Sequence, residues 1–247
     1  MATTEDPAPK STLPYPPLHK DKKFVVLSDW DAFREMLESV SGNGHSFEFC
    51  KEELKKSKRQ PRTRPEREFD GIHPPSTDIV LDAGFKDFYR YCKRHDVPIV
   101  IISSGMAPII RAVLSNLIGE EDSNTIEIVS NEVEVHEDGT WSIKYRHPTS
   151  GFGHDKSQAI LPYRALPEPP LIFFFGDGVS DMSAARHADV LFVKEKPDGE
   201  NDLAAYCVRE GIPHILFADF GRALAVVADV VEGRTSAKQA LDRGRAD

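Results

Sequence analysis

Cysteine is scarce in this chain of 247 residues, and the few that occur stand far apart. Cys50, Cys92 and Cys207 include no CxxC pair, which argues against a disulfide framework and against a thiolate zinc site. Long apolar runs are missing as well, since no stretch approaches the roughly 20 residues that span a bilayer. The amino terminus also lacks the apolar core of a signal peptide. The sequence therefore predicts a cytoplasmic protein without membrane attachment.

Positive charge is in deficit. The chain has 31 Lys and Arg against 40 Asp and Glu, which gives a formal net charge of −9 at pH 7. Broad binding to nucleic-acid phosphates needs a basic face, so this balance argues against that class. The exception is the basic, proline-rich stretch 56–77, which has little to bury. We interpret it as a solvated insert, and a basic arm for an anionic partner is the alternative.

Short apolar runs alternate with helical patterns along most of the chain. Five runs read as buried strands: residues 24–27, 97–102, 171–175, 189–193 and 212–217. Strands that alternate with helices predict an α/β fold built on a doubly wound, mostly parallel sheet. Residues 125–146 alternate apolar and polar side chains around Asp138-Gly139, which predicts an inserted β-hairpin.

The expected domain organisation follows from where these patterns stop. Residues 1–20, rich in proline and small polar residues, predict a flexible N-terminal arm, and the charged residues 233–247 predict a flexible tail. Residues 21–31 and 78–232 are expected to form the core. Between the two parts of the core, residues 32–77 begin with two short helical patterns and end in the basic stretch. We expect a small helical accessory domain there.

Acidic residues follow two of the predicted strands. Asp29 and Asp31 come after the first strand, whereas Asp177 leaves residues 171–175 through a glycine-rich turn and Asp181 stands about one helical turn further on. The carboxyl ends of parallel strands meet at one edge of a sheet, where α/β proteins bind ligands. Clustered carboxylates there would suit a hard cation. Taken singly, each pair also fits a turn or a helix cap, so both interpretations stay open at this point.

Two further positions could meet an anion. The strand that ends at residue 102 is followed by Ser103, Ser104 and Gly105 and then by a helical pattern, and amides at a helix N-terminus can hold an anion. Lys156 opens another helix, where a positive charge is unfavourable unless it reaches a nearby anion. Capping would explain the serine equally well, and simple exposure would explain the lysine.

In this order, the Asp29-x-Asp31 motif, Ser103, Lys156 and the GDGVSD turn of Asp177 and Asp181 resemble the motifs of the haloacid dehalogenase superfamily of phosphotransfer enzymes. The SSGM, GHDK and GDGVSDMSAA segments look most like its phosphoserine-phosphatase-like branch. That branch includes the diketo-methylthiopentane-phosphate phosphatases and the phosphoethanolamine/phosphocholine phosphatases. The resemblance covers residues 24–31 and about 78–220, and its specificity lies in the combination of motifs.

The resemblance implies a Mg²⁺-dependent phosphomonoesterase for a small phosphorylated metabolite. It implies that Asp29 is the nucleophile and a metal ligand, and that Asp31 is the general acid and base whose backbone carbonyl also binds the metal. Asp177 would complete the protein's ligands to Mg²⁺, and Asp181 would orient them. The phosphoryl oxygens of the substrate would be held by Ser103, Ser104, Gly105 and Lys156.

One departure from the family lies beside the expected nucleophile. Relatives continue the DxD motif with Gly-Thr and then a helical cap domain, whereas here Ala32 and Phe33 follow and the expected cap, residues 32–77, is short. We therefore expect an altered cap on a preserved core. The alternative function is a catalytically impaired relative that binds phosphate and regulates without turnover.

Overall fold

A seven-stranded sheet runs through the part of the chain that the structure, a computed structural model, describes: residues 10–29, 82, 84–137, 140–150, 154–196 and 201–244. The strands are β1 (Phe24–Ser28), β2 (Ile99–Met106), β3 (Glu127–Val135), β4 (Trp141–Lys144), β5 (Leu171–Gly176), β6 (Val190–Lys194) and β7 (Ile215–Phe217). The helices of the described residues are α1 (Phe85–Arg94), α2 (Ala107–Ile118), α3 (Glu120–Asn124), α4 (Ser157–Arg164), α5 (Met182–Ala185), α6 (Asp202–Glu210), α7 (Phe220–Val231) and α8 (Ala237–Arg243).

The strand order is β4-β3-β2-β1-β5-β6-β7, and every neighbouring pair except β3 and β4 is parallel. The chain winds outward from β1 in both directions, so the carboxyl end of β1 lies at the topological switch point, where such sheets bind ligands. Helices α1, α2, α7 and α8 pack on one face, and α4, α5 and α6 pack on the other. The predicted doubly wound α/β fold is confirmed.

The central strands are apolar because both of their faces are covered. Val25 and Leu27 of β1 pack into one core cluster while Val26 between them packs into the other, and all three are fully buried. In β5, the rings of Phe173 and Phe175 lie in the same cluster as Val26. Strands that are covered on both faces read as continuous apolar runs, which is why the sequence revealed them.

The predicted hairpin is present, but it is continuous with the main sheet. The first half of β3 pairs in parallel with β2, where Val100 lies opposite Glu127. The second half pairs antiparallel with β4, where Val135 lies opposite Trp141. One long strand thus serves both pairings, and the hairpin extends the sheet edge beyond the core.

Both chain ends differ from the expected flexible segments where the structure describes them. In the tail, Ser236 caps α8 together with Gln239, and Ala240 is buried against the core. Small apolar residues at helical spacing hold this charged helix in place. Near the amino terminus, the backbone of Thr12 donates a hydrogen bond to the carbonyl of Arg146 at 2.8 Å.

Two expectations fall outside the described residues, namely the accessory domain 32–77 and Asp31. Among the helices that the structure does describe, none combines the length and the apolar character that crossing a membrane requires.

Gly84 offers a test of how α1 is joined to α7. It has a φ of +89°, and a Cβ there would collide with the backbone nitrogen of Gly221. Gly211 also has a positive φ, of +67°, but nothing lies within 4 Å of its Cβ position. We expect Gly211→Ala to lower the free energy of unfolding by the ~1–2 kcal/mol of left-handed strain alone. Gly84→Ala should cost clearly more in urea unfolding, and equal losses would contradict the close approach.

Candidate active site

Asp29 stands at the carboxyl edge of the sheet, directly after the central strand. Its backbone N–H donates to the carbonyl of Phe175 at 2.8 Å, which extends the pairing of β1 with β5 by one residue. Its side chain is only 2% exposed. The two central strands therefore fix the point from which this carboxylate projects.

Lys156 lies between two carboxylates. Its Nζ is 2.6 Å from Oδ2 of Asp29 and 2.7 Å from Oδ1 of Asp181, and it donates to Oγ of Ser180 at 2.9 Å. The lysine side chain is fully buried, and a buried ammonium is tolerated only where partners of this kind surround it. The unfavourable position of a lysine at the start of α4 is thus explained by the acids that it reaches.

Asp181 shapes the turn after β5. Its Oδ2 accepts hydrogen bonds from the backbone N–H groups of Asp177 and Gly178 at 3.0 and 3.1 Å, while its Oδ1 faces Lys156. The carboxylate packs so closely on the strand end that a Cβ at Gly176 would lie 2.8 Å from its Cγ. Both oxygens of Asp181 are therefore engaged by the protein, and glycine is required at position 176.

The carboxylates of Asp29, Asp177 and Asp181 offer oxygen atoms that all lie within 4.8 Å of one another. Oxygen ligands are those that hard divalent cations such as Mg²⁺ prefer, so this donor set fits such an ion. Because Asp181 is occupied by amides and by Lys156, Asp29 and Asp177 are the better candidates for direct ligands. Asp177 is a third exposed, and Nζ of Lys196 lies 4.0 Å from its Oδ2.

The serine segment is placed differently from the prediction. Strand β2 runs four residues beyond the expected end, through Ser103, Ser104 and Gly105 to Met106, so the helix begins only at residue 107. A register shift in the pairing with β3 accompanies this extension. Ser103 is fully buried, and its Oγ accepts from the N–H of Gly105 at 3.0 Å. The segment lies on the strand beside β1, at the same edge as Asp29.

His154 was missed by the sequence reasoning, which considered the GHDK segment only for its lysine. It is 1% exposed, and its Nδ1 lies 2.9 Å from the carbonyl of Ser103, so that nitrogen carries the proton. Its Nε2 has no hydrogen-bond partner among the residues that the structure describes. Burial, with Lys156 nearby, lowers the pKa of His154 to about 3. The ring is therefore neutral beside the site.

Comparisons with known proteins agree with this geometry. A family model described as haloacid dehalogenase-like hydrolase matches residues 26–186, a span that contains Asp29, Lys156, Asp177 and Asp181. The chain is 42% identical over 196 residues to Pdp3-interacting factor 1 of Schizosaccharomyces pombe, which covers 78% of this chain and 73% of that relative.

Two further relatives carry the names of phosphatases. The chain is 37% identical over 189 residues to polyol phosphate phosphatase PYP1 of Saccharomyces cerevisiae, covering 70% of this chain and 76% of the relative. It is 29% identical over 123 residues to 2-hydroxy-3-keto-5-methylthiopentenyl-1-phosphate phosphatase of Bacillus pumilus, covering 48% and 50% of the two chains.

Replacing the buried lysine tests the ion pairs. Lys156→Met keeps most of the stem but leaves the carboxylates of Asp29 and Asp181 close together without a cation. We expect a loss of about 3–5 kcal/mol in the free energy of unfolding, the usual cost of breaking a buried pair. Lys196→Met is the matched control, with an expected change below about 1 kcal/mol because its partner is partly exposed. Urea unfolding in a chelating buffer would show this, and equal losses would contradict it.

His154 makes stability depend on pH. The side chain titrates near pH 6.5 in an unfolded chain but near 3 when folded, so the unfolded state binds more protons between these values. The contribution of His154 to the free energy of unfolding is complete above pH 6.5 and declines as the pH falls toward 3. His154→Asn keeps an N–H donor for the carbonyl of Ser103 but does not titrate. We expect a shallower loss of stability between pH 6.5 and 4 in this variant, and parallel curves would disprove the assignment.

Proposed function

Because the chain belongs to the haloacid dehalogenase-like hydrolase family, as its motifs predicted, we propose that it is a Mg²⁺-dependent phosphomonoesterase that acts through an aspartyl-phosphate. The observation that carries the proposal is the arrangement around Asp29. Its buried carboxylate has Nζ of Lys156 at 2.6 Å and the carboxylates of Asp177 and Asp181 close by. The proposed nucleophile, a cation and the candidate metal ligands thus lie together at the edge of the sheet.

The difficulty of the reaction is electrostatic, since a phosphate ester is an anion that repels an attacking carboxylate. The ammonium of Lys156, 2.6 Å from the carboxylate of Asp29, offsets the electrostatic cost of burying a negative charge there. Mg²⁺, when bound by Asp29 and Asp177, would supply the remaining positive charge for the phosphoryl oxygens. Asp181 holds the turn of Asp177 through the two amides that it accepts from.

The reaction then takes two displacement steps. An oxygen of Asp29 bonds to phosphorus while the ester P–O bond breaks, and the departing alcohol takes a proton from a general acid. A water next attacks the same phosphorus, gives its proton to the resulting base and frees Asp29, which releases inorganic phosphate. Asp31, outside the described residues, is the proposed acid and base on the strength of the DxD motif.

The names of the relatives support a substrate class. The Saccharomyces cerevisiae relative is named for polyol phosphates, and the Bacillus pumilus relative is named for a hydroxylated five-carbon phosphate ester. A phosphate monoester of a short, hydroxylated carbon chain is common to both. We therefore propose a small polyol phosphate as the substrate of this chain.

We also propose that the protein is cytoplasmic and that residues 32–77 form a cap on the core. Ser103, Ser104 and Gly105 remain the proposed phosphoryl-binding segment. Their position on the strand next to β1 supports this role, because it brings them to the edge from which Asp29 projects.

Phosphate release from a panel of esters tests the proposed function. The panel would contain glycerol 3-phosphate, sorbitol 6-phosphate, phosphoserine and phosphoethanolamine, each assayed with Mg²⁺ and with a chelator. We expect turnover that requires Mg²⁺ and is fastest with the polyol phosphates. Asp29→Asn, nearly the same shape without the nucleophile, should lower it at least about a thousand-fold.

Activity that survives Asp29→Asn would show that another group attacks phosphorus. Phosphate binding without turnover in the folded, Mg²⁺-loaded protein would instead support the catalytically impaired alternative. Equal rates across the panel would argue against a preference for polyols. Lys22→Met, a change at the opposite edge of the sheet, is the control for nonspecific loss of activity.

A further inference from the structure

Residues 11–15, here called the N-terminal strap, provide the acceptors for a buried cation. Arg146 is 3% exposed, and its Nη1 donates to the carbonyls of Leu13 and Pro14 at 3.1 and 3.0 Å. The hydroxyl of Thr12 donates to the carbonyl of Tyr145 at 2.7 Å. Detaching the strap would break the hydrogen bonds of Leu13 and Pro14 to the guanidinium, and hydrogen bonds to a charged group are among the stronger ones. These hydrogen bonds hold the strap against the core, although its own residues remain at least partly exposed.

Tyr15 connects the strap to His147. Its ring lies under the guanidinium of Arg146, 4.8 Å from its centre, and its hydroxyl is 3.0 Å from Nε2 of His147. Nδ1 of His147 accepts the backbone N–H of Asp155 at 3.0 Å. In the neutral ring the proton is therefore on Nε2, which donates to the oxygen of Tyr15. His147 thus bridges the strap and the residue immediately before Lys156.

Further contacts link His147 to Ser103 and to the first residue of α4. The ring of His147 lies nearly parallel to that of His154, with centres 5.2 Å apart, and His154 donates to the carbonyl of Ser103 at 2.9 Å. The carboxylate of Asp155 accepts from the N–H and the hydroxyl of Ser157 at 3.1 and 2.7 Å, at the first residue of α4. The residues on either side of Lys156 are therefore anchored through this one contact network.

We propose that Tyr15 and His147 are positioning residues of the phosphate site, which act on Lys156 by fixing the backbone at Asp155. The catalytic consequence rests on the proposed function, whereas the structural coupling does not. Lys156 must place one Nζ within 2.7 Å of two carboxylates at once, so a small shift of its backbone lengthens both contacts. Displacements of about 1 Å in such groups can change rates a hundred-fold.

Tyr15→Phe is the test, because it removes one oxygen and keeps the ring under Arg146. We expect the amide of Asp155 to exchange with solvent at least several-fold faster, as followed by NMR. The dissociation constant of inorganic phosphate, measured by calorimetry with Mg²⁺, should rise three- to ten-fold. With an ester that the protein hydrolyses, kcat/KM should fall mainly through KM, because Lys156 faces the phosphoryl charge before and during the reaction.

Two other variants separate positioning from general loss of structure. Lys22 follows the strap by a few residues, and Lys22→Met breaks its ion pair with Asp96. This variant should change neither the amide exchange at Asp155 nor the affinity for phosphate. His147→Asn can still accept from the amide of Asp155 but is too short to reach Tyr15. Adding Tyr15→Phe to that variant should therefore have no further effect, because the contact that it removes is already gone.

The outcomes distinguish the two proposals. Unchanged exchange at Asp155 in Tyr15→Phe would overturn the positioning role, and so would faster exchange with unaltered phosphate affinity. Additive effects of Tyr15→Phe and His147→Asn would also overturn it. A wild-type chain that binds phosphate but hydrolyses no ester would refute the proposed function, while the exchange and affinity results would still decide the positioning role. A wild-type chain that does not bind phosphate would count against both.

Discussion

The rest of the site depends on the ion pairs that Lys156 forms with Asp29 and Asp181. These pairs draw together the end of β1, the start of α4 and the turn after β5, three segments that lie far apart in the sequence. A fully buried cation is stable only with close partners, and two carboxylates that close together repel each other unless a cation or a proton offsets their charge. Each member therefore needs the others, and the glycine at position 176 leaves the room that Asp181 requires.

Buried strands could be predicted because a parallel sheet covered on both faces demands continuous apolar runs, as in β1 and β5. The position of Asp29 and Asp177 then followed, since carboxyl ends of parallel strands share an edge. The extension of β2 through Ser103 to Met106 could not be predicted. Serine and glycine read locally as a turn, whereas the strand resumes its pairing with β3 only at Met106, opposite Asn131 and after a register shift.

Long-range partners also explain the other misjudged parts. The segment around Tyr15 looks like a flexible arm by composition, yet it is held by Arg146 and His147, more than 130 positions away. The local pattern of a proline-rich segment does not predict such long-range contacts. Lys156 was recognisable as unusual from its place at a helix start, but its partners became clear only when the fold brought Asp29 and Asp181 to it.

Two cations lie buried ten residues apart, and the kinds of partner that they have suggest different tasks. Arg146 donates to backbone carbonyls of the strap and of Ser130, which are neutral and chemically inert, so these bonds hold structure. Lys156 faces carboxylates, of which Asp29 is the proposed nucleophile. If Asp29 took up a phosphoryl group as proposed, the new phosphoryl oxygens would bring negative charge to the same ammonium. Under both proposals, Lys156 would therefore remain paired through the reaction while the strap holds its backbone in place.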